Sequence, residues 1–269
     1  MRLILPISFL GCIAVFSCNF IAVEEPSSSS TTQTPRSSSS SLDCSVFSSS
    51  STNEDLCSDF DPDIEIEHYG KMKKQFCDER DGKKYAYVQI GEQIWMAENL
   101  NYDICGSKCA IGIDYIITNN EFGRLYDWFT ALTICPEGWH LPSEAEWTVL
   151  AYYAGGRLIA GSKLKAFVED WTCNQENTGL RRDYLIADSY SCKGVKENTD
   201  DYGFSALPGG YHDGYSFMSV YSHGGVWWSN TEFQIHAYYN YLSSYINGLS
   251  SYYISKKNFL SVRCVKDIF

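Results

Sequence analysis

The sequence is poor in basic residues, in proline, in histidine and in extended apolar runs. Lys and Arg number 21 against 33 Asp and Glu, a formal net charge of −12 over 269 residues. So acidic a chain cannot neutralise phosphates along its length, which excludes a general nucleic-acid or anionic-membrane surface binder. The apolar run Leu3 to Ser17 is too short for a membrane-spanning helix, which needs about 20 residues. The five histidines, His68, His140, His212, His223 and His236, are scattered, and no serine, histidine and acid grouping stands out. Ser143, with Glu146 three residues on, reads as a helix N-cap with its capping box and not as a nucleophile. No proline follows Pro208, so the C-terminal part is free to form strands. The acidic run Glu54 to Glu67 lacks the turn glycine and ligand spacing of a calcium loop and reads as a solvated, self-repelling segment.

The front of the chain carries most of the charge. Residues 1 to 67 hold 2 basic and 10 acidic side chains, net −8, which leaves −4 for the rest. Met1-Arg2 and the apolar run have the form of a secretory signal. VFSC (15–18) resembles a bacterial lipobox, in which Cys18 would be lipidated and become the new N-terminus; FLGC, ending at Cys12, competes with it, and plain secretion without lipid is the other reading. Fourteen serines lie among residues 27 to 51, a composition that buries nothing and reads as a flexible spacer. The expected organisation is a signal peptide over 1–17, a disordered serine-rich and acidic linker over 18–75, and one domain over 76–269. The predicted location is the bacterial envelope, at the outer membrane or cell surface, with the membrane touched through the lipid alone.

From about Gln75 the chain turns aromatic and glycine-rich. KKYAYVQI (83–90) and QIWMAEN (93–99) read as a β-hairpin joined through Gly91. GRLYDWFTALTIC (123–135) places Leu125, Trp128, Phe129 and Leu132 at helical spacing, and the Ser143 cap opens a second helix that stops at Gly155-Gly156. GVWWSNTEF (225–233), HAYYNYL (236–242), SSYYIS (250–255) and FLSVRCVKD (259–267) are strand candidates, with Asn247-Gly248 as a hairpin turn. Six glycines between Asp200 and Gly225 predict long irregular loops. Two helices and an antiparallel sheet make an α+β domain.

IGEQIWMAENLNYD (90–103), FGRLYDWFTALTICPEGWHLPSEAEW (122–147), DDYGFSALPGGY (200–211), VWWSNTE (226–232) and SVRCVKD (261–267) occur in order and together resemble the Fibrobacter succinogenes major paralogous domain over essentially all of 76–269. The resemblance implies a bacterial secreted protein with a fold similar to the C-type lectin and formylglycine-generating-enzyme group. It supplies no established activity. Eleven cysteines on an exported chain point to disulfides, because the export compartments of bacteria are oxidising. Lectin-like folds staple the C-terminal strand to the first helix, which the resemblance places at Cys135 and Cys264; closing so long a loop is worth about 5 kcal/mol on the chain-entropy account. Cys173 with Cys192 and Cys105 with Cys109 are expected as local staples, metal ligation by CGSKC being the rival reading. Cys44, Cys57 and Cys77 remain, one of them free or bonded to another molecule.

Three functions fit these features. The first is a non-catalytic surface module that uses spare tyrosines, Tyr211, Tyr215, Tyr238, Tyr239 and Tyr241 foremost, to hold a polysaccharide or an envelope protein. It is expected to need no metal and no cofactor, since the proline-containing loop by which lectins hold calcium is missing and WSN (228–230) stands where Trp-Asn-Asp would be. The second is an enzyme of the formylglycine-generating type, which would need two neighbouring cysteines at a copper site where this chain offers Cys264. The third is a structural envelope protein bridged through the odd cysteine.

Overall fold

The computed structural model describes residues 55–109, 122–168, 171, 196–215, 217–218 and 224–267. In chain order the strands before the first helix are β1 (Ile66–His68), β2 (Lys71–Cys77), β3 (Lys84–Ile90), β4 (Gln93–Met96), β5 (Lys108–Cys109) and β6 (Arg124–Asp127). Then come α1 (Trp128–Ala131), β7 (Trp139–His140), α2 (Glu144–Tyr153) and α3 (Ala160–Leu164). The chain continues with β8 (Tyr211–His212), β9 (Phe217–Met218), β10 (Gly224–Phe233), β11 (His236–Ser243), β12 (Ser250–Ser255), β13 (Phe259–Ser261) and β14 (Val265–Lys266).

The C-terminal segment stitches two sheets together. One sheet runs β1-β2-β3-β4-β14-β7, the other β12-β11-β10-β13-β6-β5, with β8 and β9 beside β13. Pairing is antiparallel throughout except between β10 and β13. FLSVRCVKD is therefore not one strand: it leaves the second sheet at Ser261 and enters the first at Val265. Val262, Arg263 and Cys264 are buried in the crossing. Cys264 is bonded to Cys135 across 129 residues.

Strand alternation sorts the tryptophans into two cores. Trp227 and Trp228 are neighbours on β10, so their rings face opposite sides of the sheet, and both are fully buried. Trp228 joins Tyr85, Met96, Tyr126, Trp128 and Leu260. Trp227 joins Trp95, Trp147, Leu150, Phe204 and Leu242, where α2 lies on the sheet. The α2 helix begins as its sequence dictates: Ser143 Oγ accepts from Glu146 N at 3.2 Å, and Glu146 Oε2 accepts from Ser143 N at 2.7 Å. The β3–β4 hairpin turns at Gly91, whose φ of 63° suits glycine and against which the Tyr153 ring is seated.

Several expectations are corrected. Residues 123–135 do not form one helix: Leu125 and Tyr126 are buried on both faces and pair with β13, and only then does Asp127 cap the single-turn α1. Phe129 and Leu132, expected on an apolar face, are exposed. A third helix, α3, follows the Gly155-Gly156 stop. The ordered fold starts ahead of residue 76, since β1 and nearly all of β2 precede it. The acidic stretch is tied in by a Cys57–Cys77 disulfide, with Leu56 against Gly82. Acidity described the outward side chains of this stretch, but Ile66 and His68 alternate with Glu67 and turn inward. The segment 198–207 is irregular, as expected, but Asp200, Phe204 and Ser205 pin it to the core.

Candidate functional site

Behind the first sheet lies a buried charge network that the sequence does not announce. Arg263 is fully buried, and its guanidinium donates to Asn99 Oδ1 at 2.9 and 3.2 Å, to the Ser205 carbonyl at 3.3 Å and to the Phe204 carbonyl. It also stacks over the Phe204 ring at 4.3 Å. Asn99 is held in turn: its Oδ1 accepts from Trp227 Nε1 at 2.7 Å and its Nδ2 donates to the Phe122 carbonyl at 2.9 Å. Lys73 donates to His68 Nδ1 at 2.9 Å and to Ser205 Oγ, and Ser205 Oγ donates to Asp200 Oδ2 at 2.6 Å. Loss of water outweighs the attraction of Asp200 and Glu98 and brings Lys73 down to about 8, while Arg263 falls to about 9 for the same reason. The Lys73–Ser205–Asp200 chain has the residue types of a nucleophile with its base, yet Ser205 is completely buried and spends its proton on Asp200. In this position it works as a clamp on the segment 200–205.

In front of the network opens a cavity of about 410 Å³, lined by His68, Tyr69, Lys84, Tyr85, Glu98 and Asn101 among others. Burial, reinforced by Lys73 and Arg263, lowers His68 to about 3, so it is neutral. With Nδ1 accepting from Lys73, the proton sits on Nε2, which faces Glu98 Oε1 at 3.6 Å. That pair is therefore no ion pair. Glu98 accepts from the Ala86 amide through its other oxygen, and burial raises its carboxyl above the ordinary range despite that bond.

A second feature lies at the far end of β10, β11 and β12. Phe233 pairs in register with His236, and Tyr238 with Tyr253. The parity of the strands puts all four rings on one face. Phe233 and Tyr253 have centroids 4.5 Å apart, Phe233 and Tyr238 5.8 Å, His236 and Tyr253 5.6 Å, and Tyr238 and Tyr253 6.2 Å. Tyr253 is 52% exposed and Ile235, in the turn beside them, 79%. Along the same face Asn240 follows, its amide donating to Glu144 and its carbonyl accepting from Arg157.

The profile of the Fibrobacter succinogenes major domain matches residues 88–266. The chain belongs to this family. No curated protein and no solved structure shows significant similarity to it. The family span contains Asn99, Asp200, Phe204, Ser205, Trp227 and Arg263, so the motif-like blocks of the Fibrobacter succinogenes major domain are in this chain the interlocking parts of one buried network. His68, Tyr69 and Lys73 lie ahead of that span, and half of the cavity wall is supplied from there.

The tyrosines singled out in the sequence are not brought together. Tyr238 belongs to the aromatic strip. Tyr239 and Tyr241 lie on the opposite face of β11 and rest against the first core, as does the half-buried Tyr211. Tyr215 stands alone at a turn, 96% exposed. Phe233 and His236 of the strip were missed; the signal for them is their position on either side of a tight turn, which obliges them to meet. Cys135 and Cys264 are joined, Cys105 is disulfide-bonded, and Cys57 with Cys77 forms a bridge for which no pairing was assigned. Cys18, Cys173 and Cys192, and the side chain of Cys109, lie outside the described residues. Among the described residues no group of His, Cys, Asp and Glu is placed to hold a metal, and no helix is long and apolar enough to cross a membrane.

A partly exposed charge cluster fastens Asp267, just after β14. His140 Nε2 meets Glu146 Oε1 at 2.7 Å and its Nδ1 meets Asp267 Oδ1 at 2.6 Å. The hydrogen bond to Glu146 is the main cause that raises His140 to about 8, with Asp267 adding to it against burial. For Glu146 burial acts upward, but the bonds from His140 and Ser143 outweigh it and bring the carboxyl to about 2. A raised histidine stabilises fully below its free value of 6.5 and loses that contribution as pH climbs through about 8; a depressed glutamate stabilises above 4.5 and loses it as pH falls towards 2. Both contributions are complete between pH 4.5 and 6.5. With His140 partly exposed, about 1 kcal/mol should vanish between pH 6.5 and 8.5. Urea unfolding at the two pH values checks this, and His140→Gln should flatten the dependence.

Proposed function

We propose that the protein is an exported, non-catalytic binding module of the bacterial envelope, lipid-anchored at Cys18 and held away from the surface by its serine-rich spacer. The observation that carries the reading is the strip of Phe233, His236, Tyr238 and Tyr253 at an exposed sheet end. Four rings in a connected cluster, three of their four contacts edge to face and the Phe233–Tyr253 contact tilted at 33°, lie beside Ile235 and form an apolar patch with polar neighbours, on which the exposed Tyr253 ring offers a face to a sugar of a polysaccharide. The domain's near-neutral balance, with most of the negative charge ahead of it, favours stacking and hydrogen bonding over capture of a charged partner. A C-type-lectin-like fold is supported by the Cys135–Cys264 staple between the end of the α1 region and the C-terminal crossing. The same bond consumes the cysteine that a formylglycine-generating chemistry would require. An envelope protein seated on the strip is the second reading, favoured by β12 being an edge strand.

Affinity electrophoresis through gels containing soluble xylan, glucan or mannan tests the patch. Tyr253→Ala and Phe233→Ala should each weaken retention by about 2 kcal/mol, roughly thirtyfold, as expected for a central aromatic anchor. Tyr215→Ala, exposed but outside the four-ring cluster, should leave it unchanged. Equal retention of all three variants would remove the strip from the function.

A further inference from the structure

The cavity in front of the buried network is lined by none of the residues of the aromatic strip. It is bounded by β1, the start of β3 and the segment 97–101, and its volume of about 410 Å³ lies near the lower end for ligand pockets, enough for one ring and not for a chain. Its wall mixes Tyr69, Tyr85 and Leu207 with a few polar groups. Two of these converge. Glu98 has one oxygen fixed by the Ala86 amide, which leaves Oε1 as an acceptor towards the cavity; beside it, at 3.6 Å, stands His68 Nε2, too far for a good mutual bond and carrying a proton. An acceptor and a donor side by side, neither satisfied by the other, match two adjacent hydroxyls of a ligand, one donating to Glu98 and the next accepting from His68. Asn101 also lines the cavity, its backbone groups taken by Tyr85 and Lys83.

The charges around the cavity narrow the ligand class. Lys73 and Arg263 lie directly behind it and Lys83 and Lys84 on its wall, so a cationic ligand meets repulsion. An anionic one meets Glu98 at the point of recognition and gains little from the cations, because Asp200 lies against Lys73 and Arg263 and Asp81 pairs with Lys83 at 3.1 Å. A neutral ligand rich in hydroxyls is what remains.

We propose that this cavity binds a single neutral sugar ring through a vicinal diol, with Glu98 and His68 as the paired recognition groups and Tyr69 and Leu207 on its apolar side. The inference shares the carbohydrate class with the reading above but names a different place, built partly from residues ahead of the family span. The two can fail separately. The test uses the full chain, purified from membranes, with the methyl glycosides of xylose, glucose, galactose, mannose and arabinose as probes, followed by saturation-transfer NMR and calorimetry. At least one glycoside should bind in the millimolar range. Glu98→Gln keeps the shape and the acceptor for Ala86 but removes the charge, and should weaken that binding roughly tenfold. Asn101→Ala, which leaves every bond of the buried network in place, should weaken it roughly threefold. Phe233→Ala should bind the glycoside as the parent does, even where it has lost the polysaccharide. Absence of binding by all five probes overturns the proposal, and so does parental affinity in Glu98→Gln with an unchanged melting transition. Should Glu98→Gln fail to fold, parental affinity in Asn101→Ala decides against it in the same way.

Discussion

Arg263→Met should lower the unfolding free energy by about 3–5 kcal/mol, the cost of taking one charge from a buried, hydrogen-bonded group of charges. The guanidinium contacts Asn99, Phe204 and Ser205 together, and it approaches the Trp227 ring to 5.7 Å. Methionine fills similar volume, so the loss comes from chemistry and not from a cavity. Two backbone carbonyls and the Asn99 oxygen lose donors, and Asp200 and Glu98, both shifted upward by burial, lose a compensating charge. Arg263→Lys should recover little, because a point charge cannot span partners arranged for a planar fork. Adding Asp200→Asn to Arg263→Met should cost less than the sum of the separate changes, since the carboxylate left stranded by the first is neutralised by the second. Urea unfolding measures each value. A loss below about 1 kcal/mol in Arg263→Met would show that the network is ornamental to the fold.

The second large effect belongs to the cysteine pair across the crossing. The Cys135–Cys264 bond closes 129 residues, and removing it as Cys135→Ala/Cys264→Ala should cost up to about 5 kcal/mol, or a melting point lower by roughly 10 °C or more. The site makes this more than a matter of chain entropy. Cys264 is fully buried between the two sheets, where its carbonyl accepts from Met96 N at 3.0 Å, so loosening it frees β14 from β4 as well. The Cys57–Cys77 bond, with a separation of 20, should be worth about 3 kcal/mol by the same reasoning, and its loss should release only the N-terminal edge at β1 and β2. Thermal unfolding of parent and both double variants, with and without reductant, gives the comparison. An unchanged melting point for Cys135→Ala/Cys264→Ala would mean that the crossing holds without its staple.

What could be read from the sequence follows the range of the interactions involved. The α2 cap depends on Ser143 and Glu146 alone, and the β3–β4 hairpin and the β11–β12 pair depend on alternation and a turn; all are local and all were legible. The segment 123–135 misled because Leu125 and Trp128 face inward both in a helix and in a strand followed by one helical turn; the two differ at Tyr126, Phe129 and Leu132, and the pairing of Leu125 with Ser261, far along the chain, decides between them. The break in FLSVRCVKD was hidden for a related reason: a strand that changes sheets keeps its apolar character throughout. Nothing within SVRCV marks Arg263 as buried, and its burial shows only when Asn99 and Phe204 are seen beside it. The cavity was least legible of all. It joins His68, from a stretch whose composition is that of a solvated linker, to Glu98, from a block that looks purely structural. Cys57 and Cys77 were the one clue that the stretch is tied down.

The most direct test is incubation of the full-length protein with insoluble polysaccharides, cellulose, xylan and mannan among them, measuring both the protein retained and the soluble sugar released. The account predicts retention on at least one polymer, reduced at least tenfold in Tyr253→Ala, with no reducing sugar released above the protein-free control. Release of soluble sugar, or failure to be retained by any of the polymers, would contradict it.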